Sequence, residues 1–355
     1  MSDEACEKTA ECRSEITRAL SWVGFGGAVD RRHFIATTVV GLMAVLASCR
    51  GYVAPGVKKQ KVLLDTDIGS DIDDAIALSY LLAQPRCELL GITTVTGEAV
   101  KRAEMASALC HVAGQSSIPI YPGAELPLVT AQRQPHAPQY ATLGDRPHEV
   151  KFPRGQAVEF LRQTIRAHPG EVTLLAIGPL TNLALLLRAD PEIPRLLKEL
   201  VMMCGSYRPQ HSRTELTEWN ASLDPEATAV VFRNAPAKLR SYGLDVTHQV
   251  AMTREDVTRR FAADVRLRRV LDFAQVWFAR QNEVFFHDPL AAVSIFEPEI
   301  CGLERGNISV DLKDGPEKGR TLWQRDRAGR HEIAVTVDPS RFFTAFFSAF
   351  NSSAI

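Results

Sequence analysis

The chain carries five carboxylates within a run of ten residues, from position 65 to position 74. They are Asp65, Asp67, Asp71, Asp73 and Asp74. An apolar segment precedes the run and an apolar helical pattern follows it, so the carboxylates are predicted to lie at the end of a buried strand. So many negative charges in such a place require a compensating cation. A hard divalent metal held by oxygen ligands is the most economical one.

Two other interpretations explain the acidic run less well. Aspartate is favoured at helix N-termini, where it caps the helix and meets the positive end of the dipole, but this accounts for only one or two of the five. A haloacid-dehalogenase phosphatase strand also ends in Asp-x-Asp. That family expects Thr or Val two residues after the second aspartate, where this chain has Gly69.

After the N-terminal sixty residues, apolar segments of strand length alternate with amphipathic segments of helical length. The first βαβ unit is predicted over strand Val62–Thr66, helix Asp73–Ala83 and strand Leu89–Val95. A helix is predicted over Val265–Asn282, and no regular element is predicted in the glycine-punctuated stretch 301–330. The alternation predicts an α/β fold with an open, mainly parallel, doubly wound sheet that carries helices on both faces.

Polar turns follow several of the predicted strands. In such sheets, ligands bind in the crevice beyond the carboxyl ends of the strands. Because the turns all lie at that rim, we expect them to form one composite site together with the acidic run. They are Thr96-Gly97-Glu98, Gly178-Pro179-Leu180-Thr181-Asn182, Gly205-Ser206-Tyr207 and Asp245-Val246-Thr247-His248.

The order of these motifs resembles that of the inosine/uridine-type nucleoside hydrolases, over essentially all of the chain from Lys61 to Phe350. The acidic run is similar to the N-terminal signature of that family. Further motifs agree in order: Gly91-Ile92-Thr93-Thr94-Val95, Gly178-Pro179-Leu180-Thr181-Asn182, Glu218-Trp219-Asn220 with Asp224-Pro225-Glu226-Ala227, Gly243-Leu244-Asp245-Val246-Thr247-His248, and His287-Asp288-Pro289.

The resemblance implies a nucleoside hydrolase-like fold and a Ca²⁺-dependent N-ribohydrolase that releases ribose and a free nucleobase. Carried over by position, Asp67, Asp74 and Asp288 resemble the metal carboxylates, and the backbone carbonyl of Thr181 resembles a further metal ligand. Waters and ribose hydroxyls would complete a coordination shell that suits Ca²⁺ better than Mg²⁺. The substrate implied is a small nucleoside, and the family suggests a homodimer or homotetramer.

Cleaving an N-glycosidic bond builds positive charge on the sugar and negative charge on the departing base. Asp67 is the candidate general base that activates water beside the metal, and His287 is the candidate proton donor to the base. Side chains that would hold the sugar are Asp73, Glu98, Met203, Glu218 and Asn220.

Other side chains have weaker claims to this site. His248 is interpreted as a core residue or one behind the site, and His136 as a candidate contact to the base. Asp65 and Asp71 are expected to support the site or to cap a helix. Four aromatic residues could line a base pocket, although aromatics at these spacings are more often core: Trp219, Trp277, Phe285 and Phe286.

Glu98 departs from the commonest family pattern, which has Asn at this position. Asn both donates and accepts hydrogen bonds, whereas an ionised Glu only accepts them. The sugar recognised could therefore differ from plain ribose. Glu98 also supports an alternative function, a catalytically impaired or non-catalytic nucleoside- or ribosyl-binding lipoprotein.

The N-terminal segment predicts export. Arg31 and Arg32 form a twin-arginine arrangement, an uncharged apolar run of about 14 residues follows, and Leu46-Ala47-Ser48-Cys49 resembles a lipobox. We therefore expect an export signal over 1–49, a linker over 50–60 and a nucleoside hydrolase domain over 61–355. The protein would be periplasmic or anchored to a bacterial membrane by lipid at Cys49, and cytoplasmic if the signal is not used.

Composition excludes other partners. The net charge of -1 and the charged fraction of 23% give no electrostatic footprint for nucleic acid, and a membrane would be contacted only through the signal or the lipid. Four cysteines remain after position 49, and without a short Cys-x-x-Cys spacing they are expected to be buried thiols: Cys87, Cys110, Cys204 and Cys301.

Overall fold

A computed structural model describes residues 59–208 and 217–351 of the chain. The strands are β1 (Gln60–Thr66), β2 (Cys87–Thr94), β3 (Ile120–Pro122), β4 (Val172–Ala176), β5 (Glu199–Met203), β6 (Leu239–Tyr242), β7 (Ala251–Thr253), β8 (Glu283–Phe285), β9 (Cys301–Val310), β10 (Thr321–Arg325) and β11 (His331–Val337). The helices are α1 (Asp73–Ala83), α2 (Ala99–Val112), α3 (Ala157–Ala167), α4 (Thr181–Ala189), α5 (Ile193–Leu196), α6 (Trp219–Leu223), α7 (Pro225–Arg233), α8 (Leu244–Thr247), α9 (Arg254–Phe261), α10 (Val265–Phe278), α11 (His287–Ser294) and α12 (Pro339–Asn351).

Nine of the strands in the described residues form one sheet in the order β10-β9-β11-β6-β5-β4-β1-β2-β3. All neighbouring pairs from β3 to β11 are parallel, and β9 and β10 add an antiparallel edge. The predicted open, mainly parallel α/β sheet is therefore confirmed. The chain builds outward from β1 through β2 to β3, then returns to the other side of β1 with β4. This return makes a topological switch point between β1 and β4, where a ligand crevice is expected.

Both faces of the sheet are covered, as continuous apolar strands require. In β1, Val62 and Leu64 are buried in one hydrophobic cluster, while Leu63 between them is buried in the other. The first cluster includes α1 and the phenylalanines of α12, and the second includes α4 and α7. The sheet is thus held between two helical layers, which fixes the strand ends that carry the polar turns.

One helix boundary and three missed elements differ from the sequence expectation. Helix α10 ends at Phe278 instead of continuing to Asn282. The stretch 301–330 contains β9 and β10, which were missed because half of their residues face solvent and give no apolar run. Helix α11 was also missed. It is buried on all sides from Asp288 to Ser294, so it lacks the amphipathic period by which surface helices are recognised.

The four cysteines of the described part are buried free thiols, as predicted. Within the same residues, no helix combines the length and the apolar character needed to cross a membrane.

Candidate functional site

A cavity of about 430 Å³ opens at the carboxyl ends of the central strands. It lies at the switch point, where the residues following β1, β4 and β5 meet those at the start of α6, α8 and α11. Its lining consists of Asp67, Ser70, Asp71, Asp73, Asp74, Gln134, Ile177, Met203, Glu218, Trp219, Asn220, Leu244, His248, Trp277, His287 and Asp288. Most of the predicted site residues are therefore brought together, as the strand-end argument requires.

Two helix N-termini carry the carboxylates at the cavity floor. Asp73 and Asp74 lie in the first turn of α1, and Asp288 lies in the first turn of α11. Carboxylate oxygens of the three lie within 4.8 Å of one another. The backbone N–H of Asp288 donates to Asp73 Oδ2 at 3.1 Å, so the two helix starts are locked together. The positive ends of both helix dipoles partly offset the negative charge of this cluster.

The electrostatics of the cluster favour a bound cation. Burial, and then repulsion from neighbouring carboxylates, raises the pKa of Asp73, Asp74 and Asp288 well above the usual aspartate value. Burial likewise raises the pKa of Asp67, and it raises that of Asp71 to about 7. These groups cannot all be ionised together without an opposite charge among them. Because every side-chain donor in the cluster is a carboxylate oxygen, the set fits a hard divalent cation.

Asp67 lies beside this cluster, in the turn after β1. The turn after β4 passes so close to it that a Cβ on Gly178 would lie 2.8 Å from Asp67 Oδ1. The other carboxylate oxygen, Oδ2, accepts a hydrogen bond of 2.5 Å from Gln134 Nε2. Glycine at position 178 is therefore needed to make room for the Asp67 carboxylate.

The guanidinium of Arg102 provides a positive charge next to the turn that follows β1. Its side chain is fully buried in α2, and it donates to the backbone carbonyls of Asp67 and Ile68. It also donates to the carbonyl of Gly97 at 2.8 Å and to that of His136 at 2.9 Å. The five N–H donors of one guanidinium thus tie three polar segments together. Sequence reasoning missed Arg102, because a lone arginine within a helical pattern resembles a surface residue.

The wall beyond β5 offers groups suited to sugar hydroxyls. Glu218 caps α6, and its two oxygens accept from the backbone N–H groups of Asn220, Ala221 and Gly205 at 2.6–3.0 Å. Asn220 Nδ2 donates to the carbonyls of Ile177 and Met203, both at 3.1 Å. The amide of Asn220 is thereby oriented with its oxygen left as an acceptor.

A second wall is formed by ring systems. His287 Nδ1 lies 2.7 Å from Thr247 Oγ1, and its ring stacks on Phe285 with centroids 5.5 Å apart. His248, expected to be a core residue or one behind the site, packs edge-on against His287 and lines the cavity itself. Burial lowers the pKa of His287 to about 3, which keeps this imidazole neutral. Of the aromatic candidates, Trp219 and Trp277 line the cavity, while Phe286 is part of the hydrophobic core.

Glu98, which the sequence predicts to take part in sugar recognition, lies outside the cavity lining in this structure. Glu98 has a left-handed backbone conformation with φ of 59° and does not line the cavity. Its carboxylate accepts from Lys101 Nζ at 2.6 Å and from the backbone N–H of Ala137 at 2.8 Å. The hydrogen bond from Lys101 is the main reason that the pKa of Glu98 falls to about 2. His136 points to Glu98 as well, with 77% of its side chain exposed, and does not line the cavity either.

The predicted metal ligand Thr181 is also displaced from the cavity. Thr181 is the first residue of α4, and its hydroxyl donates to Asp224 Oδ2 at 2.7 Å. A carbonyl in the first turn of a helix points along the helix, towards the residue four positions later. Ile177, at the end of β4, lines the cavity in its place.

Gln134 was missed by sequence reasoning, although it contacts the predicted base Asp67. It lies in the long loop after β3, which shows neither a period nor a motif. The one signal for Gln134 in the sequence is its side-chain amide, a group that can donate a hydrogen bond to a carboxylate.

Comparisons with known proteins agree with this fold. The profile of a family described as inosine-uridine preferring nucleoside hydrolase matches residues 62–344. The inosine-uridine preferring nucleoside hydrolase of Leishmania major is 30% identical, over 82% of this chain and 97% of the Leishmania protein. Uridine nucleosidase 1 of Arabidopsis thaliana is 29% identical, over 78% of this chain and 86% of its own length. The solved purine-preferring ribonucleoside hydrolase from Gardnerella vaginalis is 26% identical with a TM-score of 0.71, over 82% of this chain and 98% of that one.

The mainly parallel α/β sheet and its match to solved nucleoside hydrolases place the chain in the nucleoside hydrolase fold class. The chain belongs to the inosine-uridine preferring nucleoside hydrolase family. It is accordingly a glycosidase, an N-ribohydrolase that cleaves the N-glycosidic bond of nucleosides.

The predicted export and lipid anchoring are wrong. The relatives that the chain matches include a Leishmania nucleoside hydrolase, uridine nucleosidases of Arabidopsis and a Schizosaccharomyces pombe protein. The twin arginines and Cys49, on which the localisation depended, lie outside the described residues.

Proposed function

We propose that this enzyme hydrolyses ribonucleosides to ribose and a free nucleobase in a calcium-dependent reaction, with Asp67 as the general base. The observation that carries the proposal is the convergence of Asp67, Asp73, Asp74 and Asp288 in one cavity with His287. The binding-only alternative depended on Glu98 as a site residue, and that residue lies outside the cavity lining.

Asp67, Asp74 and Asp288 would hold the cation, with Asp73 at the edge of the same cluster. Ca²⁺ takes six to eight oxygen ligands in flexible geometry, which suits several carboxylates on two helix starts and a turn. A bound divalent cation supplies Lewis acidity that makes water easier to deprotonate.

The remaining groups act on the sugar and on water. Asp67 accepts the proton of the attacking water, and burial strengthens it as a base because it raises the pKa of its carboxyl group. Asn220 Oδ1 and the free lone pairs of Glu218 accept hydrogen bonds from ribose hydroxyls, and Asp73 accepts from a hydroxyl close to the cation. These contacts orient the ribose with its anomeric carbon towards the water.

His287 serves the departing base as a neutral imidazole. With Nδ1 held by Thr247, Nε2 is the ring nitrogen left to meet the substrate. A neutral imidazole donates a hydrogen bond through one nitrogen only, so His287 would stabilise the negative charge that develops on the base. Trp277 and His248 complete this wall of the base pocket.

The test is release of reducing sugar from a panel of inosine, guanosine, adenosine, uridine and cytidine by the full-length chain. The panel is broad because the named preferences of the relatives include inosine and uridine in one case and purines in another. We expect turnover with Ca²⁺ that is abolished by EDTA and restored by excess Ca²⁺. Turnover that EDTA leaves unchanged would contradict the cation dependence, and no release from any nucleoside would contradict the proposed reaction.

A further inference from the structure

The loop segment 132–137, here called the strap, runs along the edge of the cavity. The side chains of Arg133, Pro135 and His136 are exposed, whereas Gln134 between them is 8% exposed and lines the cavity. Ala137 is also buried, but among residues 132–137 only Gln134 lines the cavity, which suggests that the strap serves to present that side chain.

The strap is fixed to the turn that follows β2. Glu98 accepts from the backbone N–H of Ala137 at 2.8 Å, and Arg102 donates to the carbonyl of His136 at 2.9 Å. A Cβ on Gly97 would lie 2.4 Å from the carbonyl oxygen of Pro135, so the two backbones are in direct contact. Thr96 and Glu98, on either side of Gly97, have φ of 68° and 59°. Strained non-glycine residues of this kind persist where the surrounding structure requires them, often beside active sites.

The orientation of the Gln134 amide is determined by two partners. Its Oε1 accepts from the indole N–H of Trp219 at 2.5 Å, and its Nε2 donates to Asp67 Oδ2 at 2.5 Å. An indole nitrogen only donates and a carboxylate without its proton only accepts, so the amide fits this place in one orientation. Trp219 is held in turn by Arg133, whose guanidinium lies 5.3 Å from the ring centroid and donates to the carbonyl of Ser222.

We propose that Gln134 is a positioning residue that fixes the carboxylate of Asp67, and that Trp219 acts through Gln134. The inference rests on the proposed function, since it assigns Asp67 to water activation and to the cation. With Oδ2 engaged by Gln134, the rotation of the carboxylate is restricted, and its remaining lone pairs keep a constant direction. Hydrogen bonds to carboxylates that serve a metal typically contribute 10- to 100-fold in metal affinity or activity.

The experiment compares Gln134→Ala, Trp219→Phe and the double variant in the full-length chain. Trp219→Phe keeps an aromatic ring and removes the N–H. His136→Ala is the matched control, because it changes an exposed side chain of the same strap that does not line the cavity. The readouts are kcat and KM for the best nucleoside, and the Ca²⁺ Kd measured by calorimetry on the metal-free protein.

Gln134→Ala is expected to lower kcat about 10- to 100-fold and to change KM by less than about threefold. It should also weaken Ca²⁺ binding, while His136→Ala changes neither quantity. Trp219→Phe should lower kcat about three- to tenfold in the parent, and no further in the Gln134→Ala background. This non-additivity distinguishes a shared positioning role from general loss of structure.

The inference is overturned if Gln134→Ala keeps kcat within twofold of the parent, or if Trp219→Phe has the same effect in both backgrounds. If Gln134→Ala does not fold, Gln134→Asn tests the same contact, because it keeps the amide but is one methylene too short. If the parent enzyme releases no ribose, that result contradicts the proposed function. In that case the Ca²⁺ Kd alone tests the inference, and a Kd that is the same in Gln134→Ala as in the parent contradicts it.

Discussion

Two aspartates at the end of β1 show how strand geometry separates roles within one acidic run. Asp65 is fully buried, and its Oδ1 accepts from the Thr93 hydroxyl and from Asn182 Nδ2 at 2.7 Å. It therefore ties β1 to β2 and α4, away from the cavity. Asp67, two residues later, lies in the cavity. The acidic run was predictable as a site from its charge. Which of its aspartates reach the cavity and which are structural depends on contacts with residues that are distant in sequence.

Asp67→Asn is expected to lower kcat about 10²- to 10⁴-fold, because a neutral amide of the same shape cannot accept the proton of water. Steady-state ribose release and circular dichroism would check activity and fold. Asp65→Asn is the matched control. Burial raises the pKa of Asp65 to about 7, so an uncharged side chain suits that site and kcat should stay within about threefold of the parent. Equal losses in the two variants would show that the effect is structural.

Site residues that lie in a recognisable motif were predictable from the sequence, whereas a site residue that lies in a long loop was not. Asp67 directly follows β1 and Met203 ends β5, so their place at the rim follows from the order of the strands in the sheet. Asp74, Asn220 and His287 lie at the starts of helices and were predicted from the motifs that contain them. Gln134 comes from a long loop whose path depends on contacts with Arg102 and Glu98. Glu98 was misassigned for the same reason, since its left-handed conformation turns the side chain from the cavity to the strap.

At the scale of elements, the βαβ alternation was predictable because buried parallel strands are short apolar runs separated by longer segments of helical length. Helix α11 and the strands β9 and β10 do not follow this pattern, because α11 is buried on all sides and the two strands are half exposed. The turn from Thr96 to Glu98 is a further element that sequence reasoning interpreted as a ligand site. In the structure it is the support of the strap.

Gly97→Ala tests this support. The added Cβ would meet a backbone carbonyl, which cannot move aside as a flexible side chain can, so we expect the strap to shift and kcat to fall about tenfold or more. Gly114→Ala is the matched control, since Gly114 has φ of 69° and no atom within 4 Å of the added Cβ. It should cost roughly 1–2 kcal/mol of stability through its left-handed conformation alone and leave kcat unchanged. An active Gly97→Ala enzyme with an unaltered melting temperature would contradict this account.

For the whole molecule, the fold concentrates negative charge at one point and offsets it only in part. The N-termini of α1 and α11 and the buried guanidinium of Arg102 all face the acidic turn, yet several carboxyl pKa values there remain raised. The metal-free protein is therefore expected to keep protons in this cluster that a cation would displace. The homo-oligomer suggested by the family stays a prediction.

This competition gives the Ca²⁺ stabilisation a definite dependence on pH. A carboxyl group whose pKa is raised by folding binds more protons in the native state than in the unfolded one. From about pH 4 to about pH 7, the metal-free cluster therefore destabilises the fold as pH rises. For each proton that Ca²⁺ displaces from the cluster, the affinity of the cluster for Ca²⁺ rises about tenfold per pH unit. The Ca²⁺ Kd should therefore fall at least tenfold between about pH 5 and about pH 7. The check is the difference in Tm between Ca²⁺ and EDTA samples at each pH, in which titrating groups far from the site cancel. A difference that stays constant or shrinks with pH would mean that these carboxylates are already ionised without the cation.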